Sequence, residues 1–213
     1  MRMSEIVLYD FWRSSASYRC RIALALGGTR YRSVPVDLPT KEHKTPEHLE
    51  RNPQGFVPVL EIDGLRLTQS LAILEYLDTT RGLGLLPEAP AERAMVQALA
   101  HAIAVDIHPV CNLQVAAHAV EITGREETRA EWMKRFIRPG MQAFEALLGA
   151  FPERPFCAGP KPGLADICLM PQVYNARRWG AQIDDLPRTM AVVASCEAHP
   201  AFQAAHPDRW QPS

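Results

Sequence analysis

The strand signals of this chain stop early. Short apolar runs at 6–9, 31–36, 59–62 and 65–67 read as strands, and beyond the proline-bracketed linker at 85–90 only helical spacing of apolar residues remains. Asp63-Gly64 between two such runs is a strong hairpin signal. The order strand, helix, strand, helical loop, hairpin, helix predicts a small mixed sheet with helices packed on it. A chain of 213 residues divided in this way predicts an α/β part at 1–84 and an all-helical part at 91–213. In the second part the spacing predicts helices over 91–105, 128–151, 164–176 and 187–198, with an irregular tail from Pro200. A break is expected at Asp106-Ile107-His108-Pro109, and a kink or split at Pro139-Gly140.

Bulk properties remove several classes of function. The net charge is −1, and basic residues such as Lys41 and Lys44 alternate with Glu42 and Glu47, so no nucleic-acid surface is expected. No signal peptide is visible, and no apolar run approaches the ~20 residues of a membrane span. The five cysteines are scattered and lack CxxC spacing, which fits a reducing cytoplasm and small core residues. A reactive thiol then has to arrive with a ligand.

One junction suits such a ligand. Between the strand at 6–9 and the helix carrying Cys20, Ala23 and Leu24 stand Ser14, Ser15 and Ser17. Serine caps a helix start, where partial positive charge and unpaired N–H groups stabilise an anion, a thiolate included. Ser14 or Ser15 is the candidate donor to a bound sulfur; both equally suit an ordinary cap. Gln69 and Ser70 open a second helix, either as a plain cap or as donors to a carboxylate. His108 and Asn112, four apart, are expected on one helix face.

Four stretches together resemble the zeta class of the cytosolic glutathione transferases, which includes the maleylacetoacetate and maleylpyruvate isomerases. They are Ser14-Ser15-Ala16-Ser17-Tyr18-Arg19-Cys20-Arg21, Asn52-Pro53-Gln54-Gly55-Phe56-Val57-Pro58-Val59, Gln69-Ser70-Leu71-Ala72-Ile73-Leu74-Glu75-Tyr76, and Asp106-Ile107-His108-Pro109-Val110-Cys111-Asn112. The resemblance covers essentially the whole chain. It implies a thioredoxin-like N-terminal domain that binds glutathione, an all-α C-terminal domain that binds an electrophile in the intervening cleft, and a homodimer.

The resemblance also implies roles. Val57 pairs its backbone with the cysteinyl part of glutathione, and a cis Pro58 leaves that edge open. Gln69 and Ser70 take the γ-glutamyl carboxylate, His43 the glycyl carboxylate, and Gln54 is a further candidate contact. Ser15 with Ser14 stabilises the thiolate, and Tyr9 is the rival hydroxyl. Arg178 and Arg13 grip the carboxylates of a small dicarboxylic maleyl substrate, while His108 and Asn112, in a segment facing the site, are counted among the glutathione-binding residues. No metal is implied.

Three positions depart from the class pattern. Ala16 stands where cysteine is common, which excludes covalent chemistry there. Gln114 stands where a maleylpyruvate-type site has arginine, which favours maleylacetoacetate. Gly163 replaces a serine or threonine cap, while Asp166 is kept. The implied activity is a glutathione-dependent cis–trans isomerisation of a maleyl keto acid. A glutathione transferase or α-haloacid dehalogenase is the rival enzyme, and a non-catalytic binding module the rival of another kind.

Overall fold

The structure, a computed structural model, describes residues 5–212. In chain order its elements are β1 (Val7–Asp10), α1 (Ser15–Leu26), β2 (Arg32–Pro35), α2 (Pro46–Arg51), β3 (Val59–Ile62), β4 (Leu65–Thr68), α3 (Ser70–Arg81), α4 (Pro90–His101), α5 (His108–Val110), α6 (Leu113–Thr123), α7 (Glu127–Leu148), α8 (Leu164–Trp179), α9 (Pro187–Ala198) and α10 (Pro200–Ala205). Contacts gather the described residues up to Leu83, with those from Pro200 onward, into one compact unit, and Gly84–His199 into a second.

In the first unit the sheet order is β2-β1-β3-β4. β1 runs parallel to β2 and antiparallel to β3, and β3 and β4 form the hairpin. Asp63 and Gly64 both have positive φ, the backbone that a two-residue hairpin turn matched to strand twist requires. Leu8, Leu60 and Ile62 of the sheet are buried, as are Ile22 and Leu24 of α1 and Ile73 and Leu74 of α3. α1 also buries Arg21, whose Nη1 donates to Asp10 Oδ2 at 2.6 Å, Nη2 to Trp12 O at 2.7 Å and Nε to Ala205 O at 3.2 Å. Burial raises the Asp10 pKa in spite of the opposing Arg21 charge.

That arginine also explains a correction at the C-terminus. The tail expected to be irregular forms α10 and packs on α1. Pro200 takes the first position of α10, where a missing N–H costs nothing. Residues from Pro200 onward therefore associate with the sheet-bearing unit, whereas sequence alone groups them with the helices.

The second unit is helical among its described residues. α9 has the expected bounds, and α8 extends the expected 164–176 run by one turn. The expected kink or split at Pro139 does not divide α7, which runs through it from Glu127 to Leu148. Ile137, Met141 and Phe144 are fully buried on either side, and that packing carries the helix past the missing hydrogen bond. α6 lies where no separate helix is expected. Gly163 starts α8, its N–H donating to Asp166 Oδ2 at 2.8 Å. A Cβ there would sit 3.0 Å from Leu85 O, so a serine or threonine cap would press on the linker backbone.

The expectation about apolar runs also needs correcting. The helical stretch Pro90–Thr123 is long and apolar enough, by length and composition, to cross a membrane. Its apolarity serves a bundle face: Val96, Leu99, Ala100, Ile103, Ala104 and Ile107 are buried. The stretch is also broken at Asn112, whose backbone is extended.

Candidate functional site

The turn from β1 into α1 separates the two adjacent serines. Ser14 is the N-cap, with its Oγ accepting the Ser17 N–H at 3.2 Å. Ser15 is the first residue of α1, half-buried, and its hydroxyl has no hydrogen-bond partner among the described residues. The rival hydroxyl is occupied: Tyr9 Oη donates to Glu61 Oε2 at 3.4 Å. Arg13, just before the serines, stacks on Trp12 with its Cζ 4.6 Å from the ring centroid. Its Nε is buried without a hydrogen-bond partner. A cavity of about 660 Å³ in this unit is lined by Arg13, Trp12, Phe11, Val36 and Trp210, and by none of Ser15, Gln54 or Gln69.

The loop before β3 is built by residues that sequence reasoning did not single out. His48 Nε2 and Asn52 Nδ2 both bond Phe56 O at 3.0 Å, and Asn52 Oδ1 accepts the Gln54 N–H at 3.1 Å. His48 and Asn52 are buried, and their signal is an asparagine directly before a Pro-x-Gly turn with a histidine four residues ahead of it. Val57 is buried, and the Val57–Pro58 peptide is cis. Gly55 has φ +62°, and a Cβ on it would lie 2.8 Å from Lys44 Nζ and 2.9 Å from His43 O. Glycine is thus what lets the His43-Lys44 segment pack against this turn. Burial, with the Lys44 charge adding, lowers the His43 pKa, and the His43 Nδ1 is buried without a partner.

Gln69 closes the group. Its Nε2 donates to Gln54 Oε1 at 2.8 Å. Its backbone, at φ +66° and ψ +110°, lies in a region that L-residues rarely adopt, and its side chain makes no cap bond to α3. Strain of this kind concentrates at ligand sites. Ser70, the next residue, receives a hydrogen bond from Arg19 Nη1 at 3.2 Å. The first unit therefore brings His43, Gln54 and Gln69 together on neighbouring loops, with the helix starts of α1 and α3 carrying Ser15 and Ser70. Chemically, this set offers backbone and amide donors for carboxylates and a hydroxyl donor for an anionic sulfur.

The remaining candidates lie in the second unit. Arg178 is in the last turn of α8, exposed, with its Cζ 4.7 Å from the Trp179 ring centroid. Arg177 beside it is held by Glu197 at 2.6 Å. His108 and Asn112 are both half-buried, but the shared helix face expected for them is absent. α5 ends at Val110, and Asn112 is the extended N-cap of α6, accepting from the Gln114 N–H at 3.0 Å. Among the described residues no group of three or more His, Cys, Asp or Glu gathers for a metal.

Comparison with known proteins shows which family the chain belongs to. The glutathione S-transferase N-terminal domain family matches residues 4–79. A maleylacetoacetate isomerase of Rhizobium meliloti (strain 1021) is 58% identical over 98% of this chain and 99% of its own length. A bacterial maleylpyruvate isomerase, a zeta-class glutathione transferase, superposes with a TM-score of 0.92 at 38% identity, covering 97% of this chain and 99% of that one. A maleylacetoacetate isomerase of Methylobacterium extorquens AM1 with bound malonate and glutathione superposes with a TM-score of 0.91 at 37% identity, covering 97% and 98%. The first unit has the thioredoxin-like fold of these proteins, and the chain belongs to the zeta-class glutathione transferases, the family of the maleylacetoacetate isomerases.

Proposed function

We propose that this chain is a glutathione-dependent cis–trans isomerase that converts maleylacetoacetate to fumarylacetoacetate. The observation that carries the reading is the 58% identity, over nearly the whole of both chains, to a maleylacetoacetate isomerase. The residues of the first unit fit glutathione, an extended tripeptide with a carboxylate at each end. Ser15 offers a hydroxyl not engaged within the fold, and His43 a buried ring nitrogen without a partner.

Bound glutathione supplies a thiolate that adds to the maleyl double bond, leaves a single bond free to turn, and departs as the trans double bond re-forms. The chain's own residues make that chemistry accessible. Ser15, with Ser14 beside it, donates to the sulfur and favours its ionised form. Lowering a thiol pKa from about 8.5 to about 7 raises the thiolate fraction at neutral pH by roughly tenfold. Gln69 and Ser70 hold the γ-glutamyl carboxylate, the Val57 backbone pairs with the cysteinyl unit beside Pro58, and His43 with Gln54 meets the glycyl end. Arg178 and Arg13 hold the substrate carboxylates and stabilise negative charge growing on the carbonyl side. His108 and Asn112, expected from the resemblance to contact glutathione, belong with Arg178 to the second unit, and we assign them to the substrate end of the site instead.

Gln114, where a maleylpyruvate-type site has arginine by resemblance, favours maleylacetoacetate over maleylpyruvate. We place the enzyme in the cytoplasm, and as a homodimer, on family grounds. The test is a side-by-side assay of maleylacetoacetate, maleylpyruvate and dichloroacetate with and without glutathione. Turnover of maleylacetoacetate that requires glutathione and exceeds the other two is expected. Turnover unaffected by removing glutathione, or activity with dichloroacetate alone, overturns the reading.

A further inference from the structure

Between α4 and α5 the chain makes a π turn over Ala102–Ile107, in which the His108 N–H reaches back five residues to Ile103 O. Pro109 follows at once. In a plain α-helix its ring would collide with the carbonyl four residues earlier, at Val105. The wider turn changes the hydrogen-bond register just ahead of that proline, and single π turns recur at functional positions. His108 is the residue on which the register changes.

α7 grips this segment at two points. At the first, a Cβ on Gly140 would lie 2.5 Å from both Cγ1 and Cδ1 of Ile107, a separation real Cβ atoms do not reach. Ile107 is buried there, so the helix backbone packs directly on its side chain. At the second, Trp132 Nε1 donates to Val110 O at 2.9 Å, satisfying a carbonyl at the end of α5. Trp132, Phe136 and Gly140 follow at intervals of four and so share one face of α7. The Trp132 and Phe136 rings pack at 4.7 Å between centroids. The two grips fall one residue before and two residues after His108.

We infer that Gly140 and Trp132 are positioning residues: together they set where His108 points, and through it the grip on the maleyl substrate. The inference rests on the proposed role of His108 at the substrate end of the site, and neither α7 residue touches substrate in it. A misplacement of about 1 Å remote from the chemistry can cost up to a hundredfold in rate. Glycine at 140 is then required for function, because any side chain there moves Ile107 and with it the adjoining His108.

The experiment is a double-mutant cycle of Gly140→Ala and Ile107→Ala, read by steady-state kinetics for each substrate, by thermal melting, and by the His108 ring signals in NMR spectra. For Gly140→Ala, kcat/KM for the maleyl substrate falls at least tenfold, the glutathione KM stays within twofold, and the His108 signals shift. In the double variant the ring signals return and kcat/KM recovers to within about threefold of the parent, because removing Cγ1 and Cδ1 makes room for the new methyl. A folded Gly140→Ala protein with parental kinetics and ring signals overturns the inference, as does a double variant no better than the single one. A fall shared equally by both substrates and tracking the melting temperature also overturns it. Should Gly140→Ala not fold, Trp132→Phe keeps an aromatic ring but removes the donor to Val110 and part of the indole; the same selective loss for the maleyl substrate, about threefold or more, is expected, and unchanged kinetics refute the idea. A parent enzyme inactive on every maleyl substrate would sink the functional reading, and the ring signals would still decide whether the clamp orients His108.

Discussion

Ser14 Oγ accepts the Ser17 N–H at 3.2 Å, while the hydroxyl of Ser15, one residue on, bonds nothing else within the described protein. Adjacent, chemically identical side chains thereby differ in whether the fold engages them. Ser14→Ala removes a helix cap, and a loss of about 1 kcal/mol in stability is expected with catalysis largely retained. Ser15→Ala removes the proposed donor to the sulfur and leaves the cap intact. At pH 7 its isomerase rate should fall about tenfold or more, with an unchanged melting temperature. The deficit should shrink as pH rises past about 8.5, where glutathione ionises unaided. A pair of pH–rate profiles checks this, and a Ser15→Ala enzyme with the parental profile would move the role elsewhere.

Gln69 combines an unfavourable backbone, at φ +66°, with a side-chain bond to Gln54 at 2.8 Å. Glycine adopts that conformation without steric cost. Gln69→Gly should therefore melt no lower than the parent. It should also bind glutathione about tenfold more weakly, since a hydrogen bond to a charged ligand group is worth about 1.5–3 kcal/mol. Calorimetric titration with glutathione measures the second effect. Parental affinity in a folded Gln69→Gly protein would show that the strained residue serves the fold and not the ligand.

Where local pattern and tertiary packing agree, the sequence was readable. The β1–α1 junction, the Asp63-Gly64 turn and the bounds of α9 are local matters of capping, turn chemistry and periodicity, and they are found as expected. Other elements depend on contacts that no local pattern reports. α7 passes through Pro139 because buried neighbours hold it, and α10 forms because α1 offers it a surface and an arginine. His108 and Asn112 were placed on one face by a spacing rule that a π turn and an extended cap invalidate. His48 and Asn52 shape the loop before β3 through Phe56 O, a link visible only once the turn is folded.

The cysteines test whether the reactive sulfur is borrowed. All five are buried, and none forms a disulfide. Burial pushes the Cys111 thiol up to about 11, and raises those of Cys157 and Cys196, with the Asp166 charge adding in both. Such thiols stay protonated and unreactive at neutral pH. Iodoacetamide at pH 7.5 should leave the native enzyme fully active and label less than one cysteine, against all five after denaturation. Rapid inactivation that tracks labelling of one native cysteine would implicate a sulfur of the protein's own.

A last prediction concerns the end of α9, which lacks a cap of its own because Leu186 occupies the N-cap position. Glu145, on α7, supplies it: Oε2 accepts from the Thr189 N–H at 2.7 Å and the Thr189 hydroxyl at 2.6 Å, and Oε1 from the Arg188 N–H at 3.0 Å. Partial burial alone would raise the Glu145 pKa, but these hydrogen bonds outweigh it and hold the carboxyl below its ordinary 4.5. A depressed folded pKa means that the carboxylate stabilises the fold above about pH 4.5 and that this contribution is lost as pH falls through the folded value. Glu145→Gln turns a two-oxygen acceptor into a half-donor facing N–H groups. It should cost about 1–2 kcal/mol at pH 7, with the gap to the parent closing at acid pH. Urea unfolding of both proteins from pH 7 down to about 3 measures that gap. A difference independent of pH would show that shape, and not charge, joins the two helices.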